Sequence, residues 1–134
     1  MKLLLCYSGG NYDATWECEH AIEADDKAGA LAEFETAVRA HLSALDAWER
    51  ASAKHMAATQ RYCPTVGPNH AKYREQMQTF MEHRQGAPKR PDSQFVFHGH
   101  ALEFSDFIQN TAGKWEVTLP ELLTPDEFWD NHRP

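Results

Sequence analysis

Ser8-Gly9-Gly10-Asn11-Tyr12-Asp13 is the stretch whose residue types come closest to doing chemistry. Consecutive glycines let backbone N–H groups converge on an anion, so Ser8, Gly9, Gly10 and Asp13 would surround a phosphate or nucleotide. The same letters fit a tight antiparallel turn, because Gly9, Gly10 and Asn11 tolerate positive φ, with Tyr7 and Tyr12 flanking it. A second candidate is His98-Gly99-His100, which on an extended strand puts two imidazoles on one face. A third ligand from Cys6, Cys18 or His20 would complete a zinc site. Cys6 or Cys63 beside an imidazole would make an activated thiolate. No flanking signature accompanies either arrangement, and the eight histidines are spread along the chain. The reading is therefore one without catalytic residues or cofactor, with buried, reduced thiols and with His98 and His100 as the alternative metal pair. The remaining constellation is acidic: Glu17, Glu19, Glu23, Asp25 and Asp26, with Tyr12 as an aromatic neighbour, form a partner-binding set.

The elements that must position these groups follow from periodicity. Residues 2–8 read as a strand. Residues 15–23 alternate, with Trp16, Cys18, His20 and Ile22 on one face and Glu17, Glu19 and Glu23 on the other, as in a half-exposed antiparallel strand. Asp25-Asp26 supplies an N-cap for a helix beginning near Lys27. Leu31, Phe34, Val38, Leu42, Leu45 and Trp48 recur at three and four residues, and the stripe continues weakly through Ala51 or Ser52, His55, Met56 and Thr59. Cys63-Pro64-Thr65-Val66-Gly67-Pro68-Asn69 breaks the helix. Asn69 is placed to cap a second helix with Tyr73, Met77, Phe80 and Met81 on one face. Residues 84–93 form a basic, proline-containing loop. Residues 94–104 and 115–119 read as strands around a turn at 110–114, and Thr124-Pro125-Asp126-Glu127 opens a short helix by a capping box.

The expected order is β-β-α-α-β-β-α, an α+β fold with an antiparallel sheet packed against a long helical hairpin. At 134 residues the chain is read as one domain. Within it, residues 1–24 form a β-hairpin, 25–83 a helical hairpin, 94–119 a second β-hairpin and 124–132 the terminal helix. The net charge is −7. Residues 1–35 carry eight acids and two bases, and residues 94–134 carry seven acids and two bases. Such acidic ends disfavour direct nucleic-acid binding, which needs clustered Lys and Arg. The short apolar run at residues 3–7 suits neither a secretory signal nor a membrane span, so a cytoplasmic protein is expected.

Two resemblances bear on function. Ser8-Gly9-Gly10-Asn11-Tyr12-Asp13 resembles the Ser-Gly-Gly-x-Asp-Ser loop of the PP-loop ATP pyrophosphatases. It has one extra residue before Asp13, and Ala14 stands in place of the second serine. That resemblance implies a small nucleotide- or phosphate-binding domain. In size, composition and style, including "YSGGNYD", the chain is similar to small phage and prophage accessory proteins of the anti-defence, anti-CRISPR-like type. That likeness implies a non-catalytic inhibitor which blocks a host defence complex sterically through an acidic surface. Its expected partner is a basic or nucleic-acid-binding protein, with homodimerisation through the helical hairpin as a further expectation and no membrane association.

Overall fold

The computed structural model describes residues 1–11 and 14–131, and for residues 8–11 and 14–18 it describes the backbone alone. Its elements are α+β, with several small antiparallel sheets beside one long helix. Strands β1 (Lys2–Asn11) and β2 (Ala14–Glu23) pair antiparallel from Lys2 opposite Glu23 to Asn11 opposite Ala14. Helix α1 covers Lys27–Gln60, and α2 covers Tyr73–Gln85. Then come β3 (Gln94–Phe97), β4 (His100–Glu103), β5 (Ile108–Thr111), β6 (Lys114–Val117), β7 (Glu121–Leu123) and α3 (Pro125–Asn131). The first sheet has the order β2-β1-β7, while β3-β4 and β5-β6 are separate two-stranded ribbons.

The C-terminal third thus holds more strands than the β-β-α-α-β-β-α order provides. The run 94–104 is not one strand of a 94–119 hairpin, because it folds back on itself at His98-Gly99, where φ is 47° and 83°. Ala112-Gly113 does the same at 52° and 78°, within the turn read from the sequence. Both pairs of angles fit the type I′ turns that join strands through two residues. Beyond Pro120 the chain re-enters the first sheet, with Leu4 opposite Leu123 and Leu5 opposite Leu122. A second correction concerns the Gly-Gly segment. Ser8, Gly9 and Gly10 are not the turn; they are strand residues opposite Glu17, Trp16 and Thr15. Alternation in the sequence marked the second strand but gave no signal that the first runs on through two glycines.

The chain divides into two compact units, Met1–Leu42 with Asp92–Pro134, and Ser43–Pro91, so α1 contributes its first half to one and its second half to the other. In the first unit Leu3 and Leu5 of β1 are fully buried, Ile22 is buried opposite Leu3, and Glu19 and Glu23 are exposed. The expected two-faced second strand is present wherever its side chains are described. Phe34 of α1 meets Phe107 at 4.6 Å between ring centroids and Phe95 and Phe97 at 5.5 Å, all edge-on. Such edge-to-face pairs add to the area the rings bury. Thr124 caps α3: its hydroxyl accepts the Glu127 N–H at 3.3 Å, and its carbonyl accepts the Phe128 N–H at 2.9 Å. Helix α3 packs on β1 and β7, and Glu127 also binds the Lys27 ammonium at the start of α1.

In the second unit α1 and α2 run antiparallel. Thr59 meets His83, His55 stacks on the same ring, and further along Trp48 Nε1–H donates to the Pro88 carbonyl at 3.1 Å. Asn69 does not cap α2; Lys72 precedes the helix, after a turn in which His70 N–H bonds to the Gly67 carbonyl. Met81 leaves the shared face and is 41% exposed, since it lies one residue, or about 100°, past Phe80. No helix among the described residues is long and apolar enough to cross a membrane.

Candidate protein-binding surface

Glu23 ends β2, Ala24 and Asp25 follow it, and Asp26 precedes α1. Asp26 earns its place by capping: Oδ1 accepts the N–H of Gly29, three residues on. Position 29 is suited to that approach, because a Cβ there would stand 2.8 Å from Asp26 Oδ1. The positive end of the helix dipole also favours carboxylates at this corner. Two turns into α1, Glu33 rises on the same side, and the His98 turn of the β3-β4 ribbon approaches it. Together Glu23, Ala24, Asp25, Asp26, Gly29, Ala30, Glu33 and His98 enclose an open cleft of about 400 Å³.

The cleft's lining contains four carboxylates and no lysine or arginine. The lysine next in sequence, Lys27, is committed to Glu127. Glu23 receives the Met1 amino group at 2.9 Å, and Glu33 Oε2 lies 3.5 Å from His98 Nε2. That last contact attracts only when the imidazole is protonated, and His98 Nε2 makes no hydrogen bond. Asp25 in the cleft and Glu19 on the outer face of β2 are exposed, and neither carboxylate has a hydrogen-bond or ion-pair partner among the described residues.

Behind this edge lies a histidine pair. His20 of β2 and His100 of β4 stand 4.5 Å apart between ring centroids, and Tyr7 stacks on His20 at 6.2 Å. His100 Nε2 is 3.2 Å from the Ala21 carbonyl, and since a carbonyl only accepts, that nitrogen carries a proton. Partial burial, and then the nearby His100, hold the His20 pKa below the ordinary imidazole range.

Of the residues singled out from sequence, Glu23, Asp25 and Asp26 are brought together, and Glu19 lies on the exposed face of the strand that leads to them. The Glu17 side chain, Tyr12 and Asp13 lie outside the described residues. Ser8, Gly9 and Gly10 lead into an antiparallel strand where a PP-loop would lead into a helix. The shared histidine face is a further correction: His98 sits in the turn at positive φ, while His100 begins β4 and bonds to β2. Among the described residues no three His, Cys, Asp or Glu side chains are placed to hold a metal ion. Cys6 is half-buried with its thiol toward the Leu4 carbonyl, and Cys63 is exposed beside Gln60 rather than buried. Sequence reasoning missed Glu33 and His98 as members of the cleft. Glu33 was legible, seven residues from Asp26 and hence on the same side of the helix; His98 required the unrecognised turn.

No family model, curated protein or solved structure matches this chain.

Proposed function

We propose that the protein is a non-catalytic binding module whose acidic edge, formed by Glu19, Glu23, Asp25, Asp26 and Glu33, captures a basic partner protein. The observation that carries this reading is the cleft lined by four carboxylates without a lysine or arginine, next to exposed acids that the fold does not use. Capping accounts for Asp26 but not for Asp25 or Glu19. Exposed charge kept unpaired steers an oppositely charged protein and fixes its register more than it adds affinity. A Lys or Arg side chain entering the cleft would meet carboxylates on both the α1 side and the β2 side. In this reading the protein works in the cytoplasm by occupying the nucleic-acid or effector surface of a larger basic protein. An inhibitor of a defence complex is the form that the small, acidic design favours.

The test is capture from a bacterial lysate on the immobilised full chain, followed by elution with a salt step and mass spectrometry. The expected result is a basic, nucleic-acid-binding protein released between roughly 50 and 500 mM salt, the range over which exposed charge pairs are screened. Recovery of no basic protein in the salt eluate would contradict the proposal.

A further inference from the structure

The second unit holds a groove that the acidic-edge reading does not use. Ser52, His55, Met56, Thr59 and Gln60 of α1 face Phe80, Arg84 and Ala87 across a space of about 330 Å³. Its floor is tied down. Thr59 is buried, and its hydroxyl donates to the His55 carbonyl at 2.8 Å. A hydroxyl has one proton, so at 2.7 Å His83 must give its Nδ1–H to the same oxygen. His83 is sandwiched between His55 at 4.7 Å and Tyr62 at 4.6 Å, which makes a ladder of three rings. These contacts fix the wall through Thr59 and the His55 ring and leave other groups of the lining unused.

Two of those groups are unspent. The Arg84 guanidinium has no hydrogen bond or ion pair among the described residues, and His55 Nε2 is buried without a hydrogen-bond partner. Met56 leaves 63% of its surface exposed on the same helix face, apolar area left uncovered among the described residues. An apolar trough between helices with one cation at its edge is a common shape for a small-molecule site, and 330 Å³ is near the lower end of such sites. The charge selects an anion, and guanidinium geometry selects a planar carboxylate that takes two parallel hydrogen bonds.

We propose that this groove binds a small monocarboxylate with an apolar tail, its carboxylate on Arg84 and its tail against Met56 and Phe80. Octanoate is the probe, titrated into the full-length protein while backbone and side-chain NMR signals are followed, with 1-octanol as the uncharged comparison. Saturable one-to-one binding is expected, with shifts concentrated at Ser52, His55, Met56, Phe80 and Arg84. Octanol should bind about tenfold more weakly, and Arg84→Met should lose octanoate affinity by a similar factor, as expected for one charge-assisted pair. Arg84→Lys, which keeps the charge, should recover part of that loss. The Arg84 guanidinium has no partner among the described residues, so these variants keep the fold, and their unshifted spectra without ligand verify it. Absence of saturation, shifts located elsewhere, or equal affinity of Arg84→Met and the parent would each overturn the proposal.

Discussion

At the scale of single residues, backbone conformation and protonation carry the sharpest consequences. Ala112 holds φ at 52° and is followed by Gly113 at 78°, a turn that asks for Asn-Gly and receives Ala-Gly. Left-handed geometry costs a Cβ-bearing residue about 1–2 kcal/mol, and asparagine relieves part of this through local hydrogen bonding. Ala112→Asn is therefore expected to stabilise the protein by about 0.5–1 kcal/mol. Gly113→Ala is expected to destabilise it by about 1 kcal/mol. A Cβ at Gly113 would meet nothing within 4 Å, so that loss would be backbone strain alone. Urea denaturation of the two variants tests both signs.

His20 supplies the pH dependence. Burial and the neighbouring His100 lower its folded pKa below the value of 6.5 taken in the unfolded chain. The folded state therefore binds this proton less readily. The contribution is fully present above about pH 6.5 and is lost as pH falls through the lowered folded value. Thermal midpoints measured from pH 7.5 to 5 should fall more steeply for the parent than for His20→Gln; identical slopes would remove His20 from the explanation. Glu127 adds to the same trend further into acid. Its hydrogen bond from Lys27, with those from Thr124, holds its pKa below the usual glutamate range, and that tie is lost as pH falls.

At the scale of elements, what the sequence made legible was what repeats. The apolar positions from Phe34 to Leu45 named the long helix and its buried stripe, and the Thr-Pro-Asp-Glu run named α3 together with its cap. Alternation in β2 placed Glu19 and Glu23 outside and Ile22 inside, which made two of the five acids of the edge readable from that strand. The turn at His98-Gly99 was not readable. His98-Gly99 lies inside a run of strand-forming residues, and the positive φ of His98 has no local sequence cause as strong as Asn-Gly. That one fold-back separated the two histidines and moved His98 to the cleft. The return of β7 to β1 is a long-range pairing, which local periodicity does not encode. Thr124 holds the first turn of α3 through its hydroxyl. Thr124→Ala should cost about 1 kcal/mol in urea denaturation, whereas Thr124→Ser should cost much less.

At the scale of the whole molecule the two units differ in how much they bury. The first contains the fully buried Leu3, Leu5, Phe34, Phe107 and Leu102, whereas no residue of α2 is buried. A helix held by half-buried side chains opens locally at lower free energy than strands in a core. Hydrogen exchange should therefore deprotect the amides of Met77–Gln85 well before those of Leu3–Leu5. Equal protection would mean that the hairpin opens only with global unfolding. The proposed acidic edge thus belongs to the more deeply buried unit and the proposed carboxylate groove to the less buried one.

The central claim, capture of a basic protein through the acidic edge, is tested most directly by comparing two immobilised chains in one lysate. One is the parent; the other carries Glu19→Lys, Glu23→Lys, Asp25→Lys and Asp26→Asn, with asparagine retained at the last position because it still caps α1. With circular dichroism verifying that both are folded, the predicted result is that the parent retains a basic protein and the charge-altered chain loses at least nine-tenths of it, roughly the effect of 1.4 kcal/mol or more. Equal recovery of that protein by both chains would contradict the account.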